Sequence, residues 1–133
     1  MIEPYIYLNG NCEEAIDFYE KVFEGTEKKI MYYKDMPQNP DYPVPDVLKD
    51  KVLHAEMTIY GTRVSFSDIE EKVNPSLMIS LAVRFSNPDY VVGTFNQLKE
   101  GGEIFMALGK QFFSPMYGWV KDKYGISWQL ISD

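Results

Sequence analysis

The stretch Gly118-Trp119-Val120-Lys121-Asp122-Lys123-Tyr124-Gly125-Ile126-Ser127-Trp128-Gln129-Leu130 decides how this chain is read. Its Tyr-Gly hairpin signal runs into an apolar strand, and the same signal occurs upstream as Tyr60-Gly61-Thr62-Arg63-Val64-Ser65-Phe66. The chain reads as one unit written twice.

Working outward, Glu3 to Leu8 is an apolar, aromatic-rich run ended by Asn9-Gly10, which predicts a strand and a turn. A helix should follow. Asn11 is placed to cap it and Glu14 to complete a capping box, with Cys12, Ala15, Ile16, Tyr19, Val22 and Phe23 at helical spacing and Gly25 as the stop. Thr26 to Lys34 reads as a strand. Asp35 to Asp50 carries Pro37, Pro40, Pro43 and Pro45, so an ordered, irregular excursion is expected there, either a lid over a site or a plain connection. Val52 to Tyr60 alternates, with Leu53, Ala55, Met57 and Ile59 on one face and His54, Glu56, Thr58 and Tyr60 on the other. Arg63 to Asp68 returns through the Gly61 hairpin.

The pattern then restarts. Leu77 to Phe85 reads as a strand, and Asn87-Pro88 opens a helix whose buried stripe is Val91, Val92, Phe95 and Leu98, ended by Gly101-Gly102. Strands at Glu103 to Leu108, Met116 to Lys121 and Ile126 to Ser132 complete a second βαβββ set. Superposing Asn11 on Asn87 also aligns Tyr19 with Phe95, Val22 with Leu98 and Gly25 with Gly101. Such self-similarity points to two modules, 1–70 and 76–133, within one domain.

Bulk properties narrow the function. With 13 basic and 20 acidic residues the net charge is −7, which repels phosphate backbones and anionic membrane surfaces, so neither nucleic acid nor membrane is an expected partner. The runs Lys28-Lys29 and Lys121-Asp122-Lys123 read as solvated faces. The single Cys12 allows no intrachain disulfide and fits a reducing compartment, with the cytoplasm the expected location. Nothing near Met1 resembles a secretory leader, and no apolar run approaches the roughly 18 residues of a membrane span.

The helix motif Glu14-Ala15-Ile16-Asp17-Phe18-Tyr19, the His54-Ala55 strand, Gly101-Gly102 and the tail Trp119…Asp122-Lys123-Tyr124-Gly125…Trp128 together resemble the PhnB-like branch of the vicinal oxygen chelate superfamily. That group includes glyoxalase I, bleomycin-resistance proteins and extradiol dioxygenases. The resemblance spans essentially the whole chain. It implies an α+β fold in which duplicated βαβββ modules form a half-open mixed-sheet barrel, the glyoxalase-like fold, with helices outside, a ligand in the concavity and a homodimer as the assembly. Metal ligands in the family's enzymes would map near Pro4, Ser65, Ser80 and Gln129. Proline has no side-chain donor, serines are poor ligands for a divalent transition metal, and Gln129 stands where glutamate is usual. No metal and no cofactor are expected. Members have been labelled ubiquinone-pathway methyltransferases, yet no Gly-rich turn of the nucleotide-binding kind follows an early strand here.

Candidate site residues can each be read two ways. His54 and Glu56 share a strand face and could form a catalytic acid/base pair, or His54 could be a structural hydrogen-bonder while Glu56 pairs with Arg63 or Arg84. Tyr60, Ser65, Trp119, Gln129 and Phe113 are candidate ligand-pocket residues. Trp128 should face the helix and Gln129 the cavity, whereas Trp119 could lie on either side. Phe112-Phe113 reads as a pocket mouth or a dimer contact. Cys12 lies near a helix N-terminus, but Glu13 and Glu14 oppose its thiolate. The expected function is binding of a small molecule, in the manner of glyoxalase/bleomycin-resistance proteins and without metal. The alternatives are a glyoxalase-like lyase or isomerase using acid/base residues or a divalent metal, and a structural interaction module.

Overall fold

The computed structural model describes residues 1–133. The chain divides into two compact units, Met1–Val73 and Asn74–Asp133. In the first, β1 (Tyr5–Leu8) leads into α1 (Cys12–Phe23), then β2 (Thr26–Tyr32), β3 (Val52–Ile59) and β4 (Thr62–Asp68). The second repeats this order with β5 (Leu81–Phe85), α2 (Pro88–Leu98), β6 (Glu103–Gln111), β7 (Ser114–Lys121) and β8 (Ser127–Ser132). Each unit is thus βαβββ. Its four-stranded sheet is ordered β1-β4-β3-β2 in one case and β5-β8-β7-β6 in the other. The first and last strands of each unit pair in parallel and the rest antiparallel, so both sheets are mixed. The expected α+β class and strand order hold. No helix is long and apolar enough to cross a membrane.

Each helix lies on one face of its own sheet. α1 buries Cys12, Ala15, Ile16, Tyr19, Val22 and Phe23 against β3 and β4, where Ala55, Met57, Val64 and Phe66 are also buried. α2 buries Val91, Thr94, Phe95 and Leu98 on β7 and β8. Thr94 takes the stripe position expected of Val92, which is half-buried. Gly118 is required on β7 because a Cβ there would meet the Phe95 ring at 2.6 Å.

Several local expectations are corrected by long-range partners. Asn11 makes no side-chain cap to α1. The buried carboxylate of Asp68, at the end of β4, does that work: its Oδ1 accepts from the backbone N–H of Gly10 (2.7 Å) and Cys12 (3.1 Å), and its Oδ2 from Val52 (3.1 Å). α1 stops at Glu24, which takes the left-handed conformation itself. Gly25 instead gives clearance, since a Cβ would collide with the Met57 thioether. β5 begins at Leu81, not Leu77, because β8 supplies a parallel partner only from Trp128 opposite Leu81 onward. Leu77, Met78 and Ile79 are left exposed. In β3 a register shift beside Met31 and Tyr32 breaks the alternation: Val52 is buried and Leu53 only half-buried. In α2, by contrast, Asn87 caps as expected, accepting from the Asp89 N–H at 2.9 Å.

The two Tyr-Gly signals build different loops. Tyr60 and Gly61 both have positive φ, 47° and 82°, and form a two-residue turn between paired Ile59 and Thr62, as a type I′ hairpin requires. Tyr124-Gly125 lies in a longer loop organised by buried Asp122. Its Oδ1 accepts from the Tyr124 and Ile126 N–H groups, and its Oδ2 from the Trp128 indole at 2.8 Å. That is the physical content of the Asp-Lys-Tyr-Gly…Trp motif.

Asp68→Ala would leave three backbone donors without their acceptor. The expected loss is about 3–5 kcal/mol of unfolding free energy, the range for breaking a buried charged hydrogen-bond network, read by urea denaturation. A loss below about 1 kcal/mol would show that the carboxylate is not the clamp described.

Candidate functional site

The sheet faces turned away from the helices carry the polar and aromatic side chains that sequence reading singled out. In the first sheet, register places Tyr5, Ser65, Glu56 and Lys29 in one row across the four strands. His54 lies two residues from Glu56 on the same face. Its Nδ1 is 3.0 Å from the Tyr5 hydroxyl and its Nε2 is 3.5 Å from Glu56 Oε2. With Nε2–H directed at the carboxylate, Nδ1 is left to accept from the Tyr5 O–H. The chain continues through Arg63, whose Nη1 is 3.6 Å from Glu56 and whose Nε is 3.4 Å from Glu3. Lys29 adds a longer contact to Glu56 at 3.9 Å.

This network sets the local charge. The hydrogen bond from His54 holds the Glu56 carboxyl below the usual glutamate range; partial burial works against it, and the Arg63 and Lys29 charges support it. Burial pushes the Tyr5 phenol up, so it stays a protonated donor. Arg63, not Arg84, is the arginine that meets Glu56.

Other candidates fall elsewhere. Ser65 is fully buried, and its hydroxyl donates to Glu3 Oε1 at 3.3 Å. Tyr60 sits in the hairpin turn with its ring edge-on to Phe23 of α1, so it does not share the His54–Glu56 face. Cys12 is completely buried, and burial together with the nearby Asp68 and Glu13 charges pushes its thiol pKa up. The helix-terminus effect is overridden, leaving a packed, protonated thiol.

The second sheet's open face is aromatic and uncharged at its centre. Val120, Trp128 and Leu130 are buried on the helix side. Tyr117, Trp119 and Gln129 occupy the other side, which settles the direction of Trp119. Trp119 pairs with Gln129, which in turn pairs with Ala82. The Trp119 ring lies 4.9 Å from Phe105, and its Nε1 donates to Ser127 Oγ at 2.9 Å. Tyr117 donates to Gln129 Oε1 at 2.6 Å, while burial pushes its phenol pKa up. Phe113 stands edge-on to Tyr117 at 5.0 Å, and Phe112 at the hairpin tip is 99% exposed.

The positions at which the resemblance locates metal ligands do not form a donor set. Pro4 contributes only a backbone carbonyl, which accepts from the Ser65 N–H at 3.0 Å. The Ser65 hydroxyl is engaged with Glu3, the Ser80 hydroxyl with Ser127, and the Gln129 oxygen with Tyr117. No group of three or more His, Cys, Asp or Glu side chains comes together as a cation would need. These residues do not fit the divalent metal of the family's enzymes.

Comparison with known proteins agrees with this architecture. The model of the family described as 3-demethylubiquinone-9 3-methyltransferase matches residues 1–131. The chain belongs to that family. It is the PhnB-like branch of the vicinal oxygen chelate superfamily, of glyoxalase/bleomycin-resistance type. Among solved structures, protein PA1353 from Pseudomonas aeruginosa is 26% identical with a TM-score of 0.82, over 100% of this chain and 98% of that one. The putative 3-demethylubiquinone-9 3-methyltransferase, PhnB protein, from Bacillus cereus is 29% identical with a TM-score of 0.77, over 99% and 98%. The fosfomycin resistance protein FosX from Listeria monocytogenes shares the fold at 11% identity and a TM-score of 0.65, over 98% and 91%.

Sequence reading did not single out Tyr5, Phe105 or Asp68. Tyr5 looked like any member of an aromatic strand. Asp68 showed no local signal because Gly10 and Cys12, which it holds, are distant in sequence.

Because its folded pKa is depressed, Glu56 contributes stability that is full above the ordinary glutamate value of about 4.3 and lost as pH falls through its folded pKa. Carboxyl NMR titration should give a Glu56 midpoint below the ordinary value, moving upward in His54→Gln. No movement would show that the imidazole contact is not its main cause.

Proposed function

We propose that this protein binds a small planar organic molecule on the open face of its second sheet, without a transition metal. The Tyr117–Gln129 hydrogen bond carries this reading. It engages the side-chain oxygen through one of its two lone pairs and fixes the amide, leaving two N–H donors that a ligand acceptor would use. The Phe105–Trp119 pair supplies the stacking surface, its indole fixed by Ser127. Phe113 stands at the edge of this set as a mouth. Dimerisation through a tip such as Phe112 and a cytoplasmic location belong to the same reading, the latter supported by the free Cys12.

Methyl transfer, named in the family's description, gains no support from the residues. Between β1 and α1 the turn holds a single glycine, Gly10, and the α1 N-terminus, where a nucleotide-type cofactor would seek backbone N–H groups, is filled by the Asp68 carboxylate. Metal analysis of protein purified without chelators, followed by thermal shift with Ni²⁺, Zn²⁺ and Mn²⁺, tests the metal-free claim. Little metal and no stabilisation are expected, and a ligand-library hit should lose its shift in Trp119→Ala. Stoichiometric metal lost in Gln129→Ala would overturn the reading, as would light scattering that found only monomer for its dimer component.

A second reading, a glyoxalase-like lyase or isomerase, is favoured by the Tyr5–His54–Glu56 hydrogen-bond chain in the first sheet. In this chain the Tyr5 oxygen can take a substrate proton as its own proton passes to His54 Nδ1, with the Glu56 carboxylate stabilising the imidazolium that results. On this reading, turnover of a 2-oxoaldehyde thiohemiacetal falls by about 100-fold or more in His54→Gln. Turnover unaffected by that change would remove His54 from the chemistry.

A further inference from the structure

The proline-rich excursion between β2 and β3 is not used by either reading, yet it encloses space. Short 3₁₀ turns at Tyr33–Asp35 and Asp46–Leu48 frame it. Its base is closed where the Tyr33 N–H donates to the Lys51 carbonyl and the Lys51 N–H to the Leu48 carbonyl. Tyr33 is anchored further by its hydroxyl, which donates to the Asp68 carbonyl at 2.7 Å. Asn39 folds the tip, its side-chain oxygen accepting from Asp41 and its carbonyl from Tyr42. The segment is therefore an ordered turn of chain lining a half-open pocket of about 570 Å³, within the ~300–1,000 Å³ typical of small-molecule sites.

The lining has a definite chemistry. Pro37, Pro40 and Pro43 give stiff apolar walls, and Tyr33 and Tyr42 give two rings. Rigid walls lower the ordering cost of binding. The charged residues on the lining are Lys34, Lys49 and Asp50, so cations exceed carboxylates here, in a chain whose net charge is −7. Lys34 forms no ion pair, its amine resting 5.3 Å from the Tyr32 ring centre. Lys49 pairs only with Asp46 at 2.8 Å, and that pair is exposed on both sides, so water screens it and the amine can turn to a ligand at little cost. Tyr42 is 75% exposed, a large ring with free surface beside an apolar cavity.

We propose that this cavity is a second ligand site, taking a planar aromatic anion stacked on Tyr42 and the proline walls with its acid group between Lys34 and Lys49. The site is independent of the second-sheet face proposed above, and its test separates the two. Anilinonaphthalene sulfonate, a planar aromatic anion, is titrated by its fluorescence against the wild type, Tyr42→Ala, the double variant Lys34→Ala/Lys49→Ala, and Trp119→Ala. The neutral phenylnaphthylamine is run in parallel. All three cavity positions are on the surface, and circular dichroism checks that the variants fold.

Saturable binding of the sulfonate is expected, with a component weakened about fivefold or more by Tyr42→Ala and by the lysine pair that persists when any binding on the second sheet is removed by Trp119→Ala. The neutral dye should respond to Tyr42→Ala alone. Absence of saturable binding, or an affinity indifferent to Tyr42→Ala, overturns the site. Equal weakening of both dyes by the lysine changes overturns its preference for anions.

Discussion

One buried carboxylate holds the first unit together. Asp68 ends β4 beneath the start of α1, and its two oxygens take the backbone N–H groups of Gly10, Cys12 and Val52. A carboxylate out of water is tolerated only when donors replace its hydration, and three converge here. The same residue joins strand end, helix start and the entry to β3, fixes the phenol of Tyr33 through its backbone carbonyl, and adds its charge to the burial that pushes the neighbouring Cys12 thiol pKa up. The second unit relies on Asp122 in a different place, after β7, where it shapes a loop and orients the Trp128 indole. Two copies of one topology thus rest on carboxylates that are not equivalent in the repeat.

The divergence extends to the open sheet faces. The first carries Glu3, Glu56, Arg63, Lys29 and His54, linked through shared carboxylates. The second carries Trp119, Phe105, Tyr117 and Gln129, neutral groups joined by short hydrogen bonds and ring contacts. Charge networks suit proton movement, whereas aromatic surfaces with fixed amide donors suit stacking and orientation of a ligand. One scaffold can host either, which is why family membership leaves the chemistry to the residues.

The fold was legible because its signals are local and repeated. Asn87-Pro88 opens α2 through an interaction two residues long, and the stripe Ala15, Ile16, Tyr19, Val22 follows from helical spacing alone. Failures occurred where a partner distant in sequence intervened. Asn11 had cap chemistry but lost the position to Asp68; Leu77 to Ile79 had strand composition but no strand beside them; Tyr60 followed the alternation of β3 on paper but entered the turn. The His54–Glu56 pair was visible because i and i+2 share a face on any strand. Tyr5, which completes the hydrogen-bond chain, could not be seen, since its approach to His54 passes across β4, the strand between them.

The sequence by itself determined the duplicated βαβββ order and the stripe of α1, because these depend on residue type and short-range periodicity, and its resemblance to the family located Gln129 where an acidic ligand is usual. Only the tertiary structure decided which atoms those residues have left to offer. The Gln129 oxygen is occupied by Tyr117, Ser65 is sealed against Glu3, and Trp119 is turned to the open face, all through strand pairing. Hydrogen-bonding capacity is finite and is shared among neighbours in space, so a side chain's chemistry is known only when its neighbours are.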